Sequence, residues 1–329
     1  MKVLVTGSAG HLGEALVWTL RDRGDDVRGL DILASPYTTL VGSIGDRSLV
    51  RGAMKGVEAV IHAASLHKPH LATHSKQDFI DVNISGTLML LEEAVAAEVK
   101  TFLYTSTTSA FGRSLHPSPG DAAAWITEDT PSIPKNMYGL SKIAAEGLCE
   151  IFHGRGGMSC LALRTSRFFP EEDDRKAIRD GYEDANAKVN ELLYRRADVE
   201  DMVSAHLCAL ERAPSLPFGR YIISATTPFT PEDLPQLGVD APAVLARRIP
   251  EFEAEYRRRG WTMFPTLDRV YVNAKARRDL GWAPKHDFQA VLGRLSRGED
   301  LRSPLARAIG SKGYHDQVFE DGPFPVDHT

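Results

Sequence analysis

Short, continuous runs of hydrophobic residues alternate along the chain with longer stretches of helical periodicity. Strands that are hydrophobic on both faces and alternate with helices are typical of a parallel sheet covered by helices on both sides. We therefore predict the α/β class, with a doubly wound, Rossmann-like parallel sheet that binds its ligand at the carboxyl ends of the strands. The predicted strands are residues 2–5, 27–31, 59–64, 102–106, 159–163 and 221–224, and the predicted helices are residues 11–23, 75–97, 135–153 and 199–212.

The regular alternation ends after about Arg164, where charged and proline-rich stretches follow. These stretches predict a smaller, mainly C-terminal lobe that sits over the sheet and binds the substrate. The predicted divisions are an NAD-binding Rossmann domain over 1–165 with its sheet completed by about 195–225, a substrate-binding lobe from 166–194 and 226–300, and a surface tail over 301–329.

The composition excludes several classes of protein. The chain has 329 residues, of which 43% are hydrophobic and 25% charged, with a net charge of -5 and no block of Lys and Arg. These values are usual for a globular protein and argue against a nucleic-acid binder. No apolar stretch approaches the length of a membrane span, and the first strand begins too early for a signal peptide. The three cysteines have no CxxC spacing, which favours reduced thiols and a cytoplasmic location.

A glycine-rich turn follows the first predicted strand and opens the first predicted helix. Gly7 permits a tight turn, Gly10 lets the backbone approach a pyrophosphate, and Gly13 lets helix and strand pack closely. The helix N-terminus supplies free N–H groups and a partial positive charge for phosphate. Asp31 ends the second strand, where an acid would bind the adenosine ribose and repel a 2′-phosphate. The alternative is a plain strand–helix turn beside a surface aspartate.

Tyr138 and Lys142 lie four residues apart on a predicted helix and therefore share one face. The positive charge of the lysine is expected to favour the phenolate and to lower the pKa of the tyrosine from about 10 towards neutrality. A tyrosine of this kind can exchange a proton with an alcohol or a carbonyl. The alternative is an ordinary solvated helix face.

Taken together, these motifs resemble those of the extended short-chain dehydrogenase/reductase family and, within it, of the NAD-dependent epimerase/dehydratase group. The resemblance runs from residue 1 to about 295 and rests on the motifs TGxxGxxG at 6–13, HxAA at 62–65 and YxxxK at 138–142, with an LGWxP-like turn at 280–284. It implies NAD as the cofactor. The cofactor-binding residues that it implies are Gly7, Ala9, Gly10, His11, Leu12, Gly13, Asp31, Ile32, Ser43, Ile44, Ala63, Ala64, Ser65, Asn83, Thr105, Tyr138, Lys142 and Thr165.

The resemblance also implies a catalytic triad of Thr107, Tyr138 and Lys142, with Ser106 as the substitute if Thr107 is not the catalytic hydroxyl. Tyr138 would take the proton of a substrate hydroxyl while hydride passes to NAD, Lys142 would hold the nicotinamide ribose, and Thr107 would orient the substrate oxygen. We therefore expect an NAD-dependent oxidoreductase or epimerase that acts on a secondary alcohol of a sugar or sugar-like small molecule. The alternative is a catalytically silent NAD-binding sensor or regulatory protein.

Several positions depart from the family pattern and bear on the substrate. Thr108 and Ser109 stand where sugar 4,6-dehydratases carry an acid and a base, which argues against dehydration. Arg167 and Tyr194 stand where nucleotide-sugar enzymes often carry an asparagine and a phosphate-binding arginine. Arg167 suits a carboxylate or a phosphate, or else forms a surface salt bridge. The predicted substrate contacts are His67, Thr108, Arg167 and Tyr194, while Ser43 replaces an aspartate that often contacts adenine.

His67, His70 and His74 form a histidine-rich loop after the third strand. We predict no metal site there, because no acidic or cysteine partner lies at ligand spacing. Substrate contact by His67 and an ordinary exposed loop both remain open.

The family resemblance further implies a homodimer in which helices 75–97 and 135–153 pair with their counterparts. Both helices carry hydrophobic residues beyond those that one face of a sheet requires, for example Leu88, Leu91, Ile143 and Leu148. The alternative is that these residues simply pack on the sheet.

Overall fold

The sheet at the centre of the molecule has seven parallel strands in the order β3-β2-β1-β4-β5-β7-β8. In this computed structural model the described residues are 1–118, 120–313, 317 and 319. The observed order and the helices on both faces confirm the predicted doubly wound fold. The strands are β1 Lys2–Thr6, β2 Asp26–Asp31, β3 Leu40–Val41, β4 Ala59–His62, β5 Thr101–Thr107, β6 Ala124–Ile126, β7 Ser159–Thr165, β8 Gly219–Ile223 and β9 Arg269–Tyr271.

The strand order reverses direction between β1 and β4, which pair in parallel with Thr6 opposite His62. A crevice forms beyond the carboxyl ends of the strands at such a reversal, and ligands of doubly wound proteins bind there. The glycine turn after β1 and the loop after β4 therefore face each other across the expected ligand site.

Helices cover both faces of the sheet. One apolar core lies between the sheet and α1, α8, α12 and α14, and another lies between the sheet and α2, α4 and α5. The helices are α1 His11–Asp22, α2 Arg47–Ala53, α3 Lys76–Phe79, α4 Gly86–Ala96, α5 Met137–Phe152, α6 Lys176–Gly181, α7 Asp184–Leu192, α8 Val199–Arg212, α9 Leu234–Leu237, α10 Ala241–Arg248, α11 Phe252–Arg259, α12 Ala274–Leu280, α13 Phe288–Ser296 and α14 Pro304–Ile309.

A separate apolar core defines a lobe beside the carboxyl ends of the strands. It is built from α7, α9, α10, α11 and α13 together with the two-stranded parallel pair β6–β9. The sequence pattern missed β6 and β9, because each is only three residues long and they pair across more than 140 residues. The predicted lobe also included α12, whose Ala276 and Leu280 pack instead against the Rossmann sheet.

The predicted helix 75–97 is not continuous. It begins as α3, widens into a π-helical stretch at Ile80–Ser85, and continues as α4. Stretches of π-helix occur mostly at functional sites, where the wider turn redirects a side chain. Here the stretch contains Asn83, whose side chain is 1% exposed.

The described part of the predicted surface tail is largely packed against the Rossmann domain. Ser303 is fully buried and its backbone N–H and hydroxyl both donate to the carboxylate of Asp198, at 3.0 and 2.6 Å. Ile309 at the end of α14 is 5% exposed and belongs to the core around α1 and α8. The rest of the predicted tail beyond Gly313 lies outside the described residues, apart from 317 and 319.

Of the helices in the described ranges, none is long and apolar enough to cross a bilayer.

A buried ion pair joins α5 to the sheet. The carboxylate of Glu146 is fully buried and accepts hydrogen bonds from Nε and Nη2 of Arg164 on β7, at 2.9 and 2.7 Å. Ser106 Oγ and Arg220 Nε also donate to this carboxylate, at 2.5 and 2.9 Å. Removing one partner of such a pair leaves an uncompensated buried charge, which is strongly destabilising.

We therefore expect Glu146→Gln to lower the free energy of unfolding by about 3 kcal/mol. Glu150 lies one turn further along α5 and provides a matched control, because it pairs with the same Arg220 while 54% exposed. Glu150→Gln is expected to cost less than about 1 kcal/mol. Urea unfolding of both variants measures the difference. Equal losses of unfolding free energy would contradict the conclusion that the buried Glu146 holds α5 to the sheet.

Candidate functional site

The glycine turn after β1 has no room for side chains. Gly7 has φ +75°, and a Cβ on it would lie 2.7 Å from the backbone nitrogen of Ala64. A Cβ on Gly13 would lie 1.8 Å from the carbonyl oxygen of Gly7. Gly10 precedes α1 without a side-chain cap, so the N–H groups of the first turn point out of the helix with no intrahelical partner. The turn therefore presents a bare, positively polarised backbone that fits a pyrophosphate.

Asp31 at the end of β2 is held against this turn. One carboxylate oxygen accepts from the backbone N–H of Ala9 at 3.0 Å, and the other accepts from Leu33 N–H at 2.9 Å. Each carboxylate oxygen can accept a second hydrogen bond, so ribose hydroxyls can still bind there. Ile32 beside it is 69% exposed and lines the same cavity, which offers an apolar contact for an adenine ring.

A cavity of about 1360 Å³ runs from the glycine turn along the carboxyl ends of the strands to the C-terminal lobe. This exceeds the usual volume of a site for one small molecule and leaves room for a dinucleotide together with a substrate. Every predicted site residue except Asn83 lines it, namely Gly7, Ala9, Gly10, His11, Leu12, Gly13, Asp31, Ile32, Ser43, Ile44, Ala63, Ala64, Ser65, His67, Thr105, Thr107, Thr108, Tyr138, Lys142, Thr165, Arg167 and Tyr194.

The position of Asn83 differs from the prediction. Its side-chain oxygen accepts from Leu66 N–H at 2.8 Å, and its amide nitrogen donates to Leu66 O and to Ser141 Oγ at 3.0 and 2.9 Å. All of its polar atoms are thus used behind the cavity wall. Asn83 therefore ties the loop after β4 to α5, and it does not reach the cavity.

A series of buried hydrogen bonds continues from Asn83 to β1. The hydroxyl of Thr87 donates to Asn83 O at 2.7 Å, so it accepts from Nε2 of His62 at 2.9 Å. Nδ1 of His62 is then left to accept from the hydroxyl of Thr6 at 2.7 Å. Burial, with a smaller contribution from the charge of Lys142, lowers the pKa of His62 to about 3. His62 is therefore a neutral spacer between the strand that carries the glycine turn and the π-helical stretch.

Tyr138 lies in the first turn of α5 and is 6% exposed. Burial raises the pKa of its phenol to about 12, and a hydrogen bond with Thr107 opposes this rise. The prediction of a pKa lowered by Lys142 is therefore wrong for this structure, because burial favours the neutral phenol and the ammonium group of Lys142 is bonded to Thr105 O instead. The competing candidate Ser106 is already engaged with Glu146, so Thr107 is the hydroxyl beside the phenol.

Lys142 is 2% exposed and one turn further along α5. Its ammonium group donates to Thr105 O at 2.7 Å and lies 4.4 Å from the centre of the Tyr104 ring. Burial lowers the pKa of the lysine to about 7, although the charge of Glu146 acts in the opposite direction. The same helix face thus buries a phenol, an amine and a carboxylate.

His67 stands beside the phenol on the substrate side of the cavity. Its ring centre is 6.0 Å from that of Tyr138 and 6.1 Å from that of His70. Burial and the positive charges of His70, Lys142 and His11 lower its pKa well below the ordinary value. His67 is therefore neutral at physiological pH and suits a contact with a substrate hydroxyl or carbonyl.

Arg167 is surrounded by acids, as the alternative of a salt bridge had it. Nη1 of Arg167 is 3.1 Å from Asp174 and 3.5 Å from Asp173, and its Nε is 3.7 Å from Glu191. Arg195 bridges Asp173 and Glu191 at 2.8 and 2.5 Å. The positive charge of Arg167 is largely compensated within the protein, which weakens its case as a carboxylate or phosphate anchor.

The substrate side of the cavity contains a cation that the sequence analysis missed. Arg269 on β9 lines the cavity. Its Nη1 donates to both carboxylate oxygens of Asp268, at 2.8 and 2.7 Å, whereas its Nε has no hydrogen-bond partner among the described residues. Its guanidinium is 5.8 Å from the ring centre of Tyr194, which in turn is 6.4 Å from that of Phe264. No motif marks Arg269, because its position depends on the long-range pairing of β6 with β9.

The chain belongs to the NAD dependent epimerase/dehydratase family, whose model matches residues 3–223. Family membership confirms the resemblance to extended short-chain dehydrogenases/reductases, makes NAD the cofactor, and identifies the chain as an NAD-dependent enzyme of the epimerase/dehydrogenase type. Ser65 Oγ is buried at the cavity wall without a partner among the described residues, and together with the bare glycine turn and Asp31 it fits a dinucleotide.

Similar proteins differ in what they act on. A UDP-glucose 4-epimerase from Erwinia amylovora is 33% identical over 164 residues, covering 44% of this chain and 47% of that enzyme, so the match spans less than half of its length. A 3 beta-hydroxysteroid dehydrogenase/Delta 5-->4-isomerase from Mycobacterium tuberculosis is 27% identical over 334 residues, covering 88% of each. The structure of a short-chain dehydrogenase/reductase superfamily protein from Agrobacterium tumefaciens with bound NAD aligns with TM-score 0.64 and 23% identity, covering 90% of this chain and 96% of that chain.

The lowered pKa of Lys142 makes stability depend on pH. The lysine has an ordinary pKa of 10.5 in the unfolded chain and about 7 in the folded one, so the unfolded chain binds one more proton between these values. Stability must therefore rise with pH across this window, by up to about 1.4 kcal/mol per pH unit from this group. In protein without bound nucleotide, Lys142→Met is expected to reduce the rise of the unfolding free energy with pH.

Urea unfolding at a series of pH values above 7 measures this slope. Lys100→Met serves as the control, because Lys100 is exposed and should leave the slope unchanged. An unaltered slope in Lys142→Met would show that the amine is not the group that titrates.

Proposed function

We propose that the chain oxidises a secondary alcohol of a sugar-like small molecule, as an epimerase or as a net dehydrogenase, through Thr107, Tyr138 and Lys142. The observation that carries this proposal is the buried contact between Tyr138 and Thr107 at the end of β5, inside the cavity that the glycine turn opens. Both hydroxyls line the cavity, where they can bind one substrate oxygen together, and this favours proton transfer over a purely structural role.

In this mechanism Thr107 and Tyr138 bind the oxygen of the reacting carbon. Bound NAD supplies the hydride acceptor. Tyr138 with its raised pKa is a phenol at rest, ready to donate a proton to a ketone, while oxidation of an alcohol requires the phenolate. The positive charge of an oxidised nicotinamide and of protonated Lys142 would favour that phenolate. Lys142, whose pKa is about 7, is itself able to change its protonation state at working pH.

The proposed substrate lobe offers mainly aromatic surface. Tyr182 and Phe264 meet edge to face at 4.8 Å, and Arg269 lies against Tyr194 with its charge paired to Asp268. Such a surface favours a substrate that contains a ring, to which Nε of Arg269 can donate a hydrogen bond. Thr108 and Ser109 provide no acid and base for dehydration. The two similar proteins named above act on a UDP-sugar and on a 3β-hydroxysteroid, and these are the two substrate classes to compare first.

A silent NAD-binding sensor is the other function that the sequence left open. A sensor would not require a hydroxyl, a phenol and an amine at the same place, yet the same cavity is lined by Thr107, Tyr138 and Lys142. The proposal therefore favours an enzyme.

Replacing the phenol tests the proposal. We expect Tyr138→Phe to keep NAD binding and to lose at least about a hundredfold in turnover, because general acid–base catalysis is removed while the ring remains. The assay is a screen of sugars, sugar acids, UDP-glucose and a 3β-hydroxysteroid, with NADH formation and product stereochemistry both recorded. NADH that accumulates indicates a dehydrogenase, whereas inversion without NADH release indicates an epimerase. Full activity of Tyr138→Phe would refute the mechanism.

We also propose that the protein is a homodimer formed by α4 and α5. Two apolar residues on α5 are exposed, namely Leu140 at 44% and Ile151 at 58%, and Leu88 and Ile143 are half-buried. Leu91 packs in the core, as the alternative interpretation had it. Exposed apolar residues along α5, beside the half-buried Leu88 on the adjacent α4, favour a symmetric four-helix contact.

The mass in solution checks this assembly. We expect twice the chain mass by light scattering, and a shift to monomer in Leu140→Glu/Ile151→Glu, because two charges would be buried in the contact. Val239→Glu is the control, since Val239 is 73% exposed on the lobe and away from these helices. A monomeric native protein would exclude the proposed contact.

A further inference from the structure

The C-terminal segment crosses the first turn of α1, next to the glycine turn. Lys312 and Gly313 line the same cavity as Gly10 and Asp31. Nothing in the glycine motif or in the catalytic triad requires a segment almost 300 residues further along the chain to be there. The segment 311–313, hereafter the strap, therefore needs its own explanation.

Glu171 is the centre of the contact between the strap and the Rossmann domain. One of its carboxylate oxygens accepts from the hydroxyl of Ser311 at 2.7 Å and from the backbone N–H groups of Lys312 and Gly313, both at 3.1 Å. The same oxygen is 2.7 Å from Nε2 of His11 in the first turn of α1. Hydrogen bonds from His11 and Ser311 hold the pKa of Glu171 down at about 2, so the carboxylate is charged at physiological pH.

The strap also contacts α1 directly. The Lys312 ammonium group donates to Glu14 at 2.6 Å. The backbone N–H of Lys312 is 3.0 Å from Nε2 of His11 but donates to Glu171, because that ring nitrogen already donates to the same carboxylate. His11 and Glu14 belong to the helix turn whose free N–H groups fit the pyrophosphate. The strap thus fixes the first turn of α1 at the phosphate end of the cavity, with the charge of Lys312 paired to Glu14.

The helix before the strap, α14, is packed in the core, and the chain changes direction at one residue, Gly310. Ser303 and Ile309 hold α14 in the core, as described above. Gly310 follows with φ +63° and ψ -163°, a conformation that is essentially restricted to glycine. The chain changes direction there and passes over α1. Rotation about Gly310 would lift the strap without unpacking α14.

We propose that residues 311–313 close over the phosphate end of the NAD site and so retain the cofactor. Glu171 holds the strap in this position through the hydrogen bonds that it accepts. Dissociation of the dinucleotide then requires the strap to open. A cofactor held in this way stays bound while a substrate is oxidised and reduced again, which favours epimerisation over net dehydrogenation. This last step rests on the proposed function, whereas retention itself rests only on the NAD site.

The rate of cofactor release tests the strap. In the full-length protein, Glu171→Ala removes the acceptor that the strap shares with His11, and Lys312→Met removes only the contact with Glu14. We expect NADH to dissociate about tenfold faster from Glu171→Ala and severalfold faster from Lys312→Met, with association little changed, because a closed strap acts on the off-rate. Stopped-flow NADH fluorescence, with NAD in excess to prevent rebinding, measures both rates.

Glu172→Ala is the matched control, since Glu172 is the adjacent, exposed carboxylate outside the strap contacts. Native release rates in Glu171→Ala and Lys312→Met would overturn the proposal. If Glu171→Ala does not fold, Lys312→Met decides alone, because its side chain is at the surface of the strap. NADH release is measured without substrate and is therefore read independently of turnover. Loss of turnover in Tyr138→Phe tests the chemistry, and the release rates of Glu171→Ala and Lys312→Met test retention.

Discussion

The burial of three polar side chains on one face of α5 is the strictest physical constraint on this structure. Tyr138, Lys142 and Glu146 follow one another at intervals of four residues, and all three are almost completely shielded from water. A phenol, an amine and a carboxylate can be buried together only if each finds a polar partner nearby. Strand β5 provides them, through Thr107 for the phenol, Thr105 O for the amine and the hydroxyl of Ser106 for the carboxylate. The carboxyl end of β5 must therefore lie directly beneath the first turns of α5.

This arrangement explains why charge alone is a poor guide to the protonation of the site. A lysine four residues from a tyrosine would lower the pKa of an exposed phenol, but burial shifts the two groups in opposite directions, the phenol up and the amine down. Each neutral form is stabilised at the cost of its charged form. The charge that the reaction needs must then come from bound cofactor and substrate, so that reactivity depends on occupancy of the site.

Features that depend on local sequence were predictable, and features that depend on distant pairing were not. The glycine turn, Asp31 and the spacing of Tyr138 and Lys142 are each encoded within a few residues, and all of them line the cavity. Arg269 reaches the cavity only because β6 and β9 pair across the lobe. Glu191 on α7 reaches Arg167 only through the fold, whereas Asp173 and Asp174 are close to Arg167 in the sequence. Asn83 was assigned to the cofactor because its motif is local, whereas its true partners, Leu66 and Ser141, are set by the π-helical stretch.

The buried hydrogen bonds that run from Thr6 through His62, Thr87 and Asn83 to Ser141 have one further consequence. One part runs from Thr6 to the main-chain carbonyl of Asn83, and the other runs from the side-chain amide of Asn83 to Ser141 and the carbonyl of Tyr138. The two parts share no polar atom and are joined only by the covalent structure of Asn83. The position of the phosphate turn and the position of the proton-handling helix are therefore tied to each other through a single buried residue.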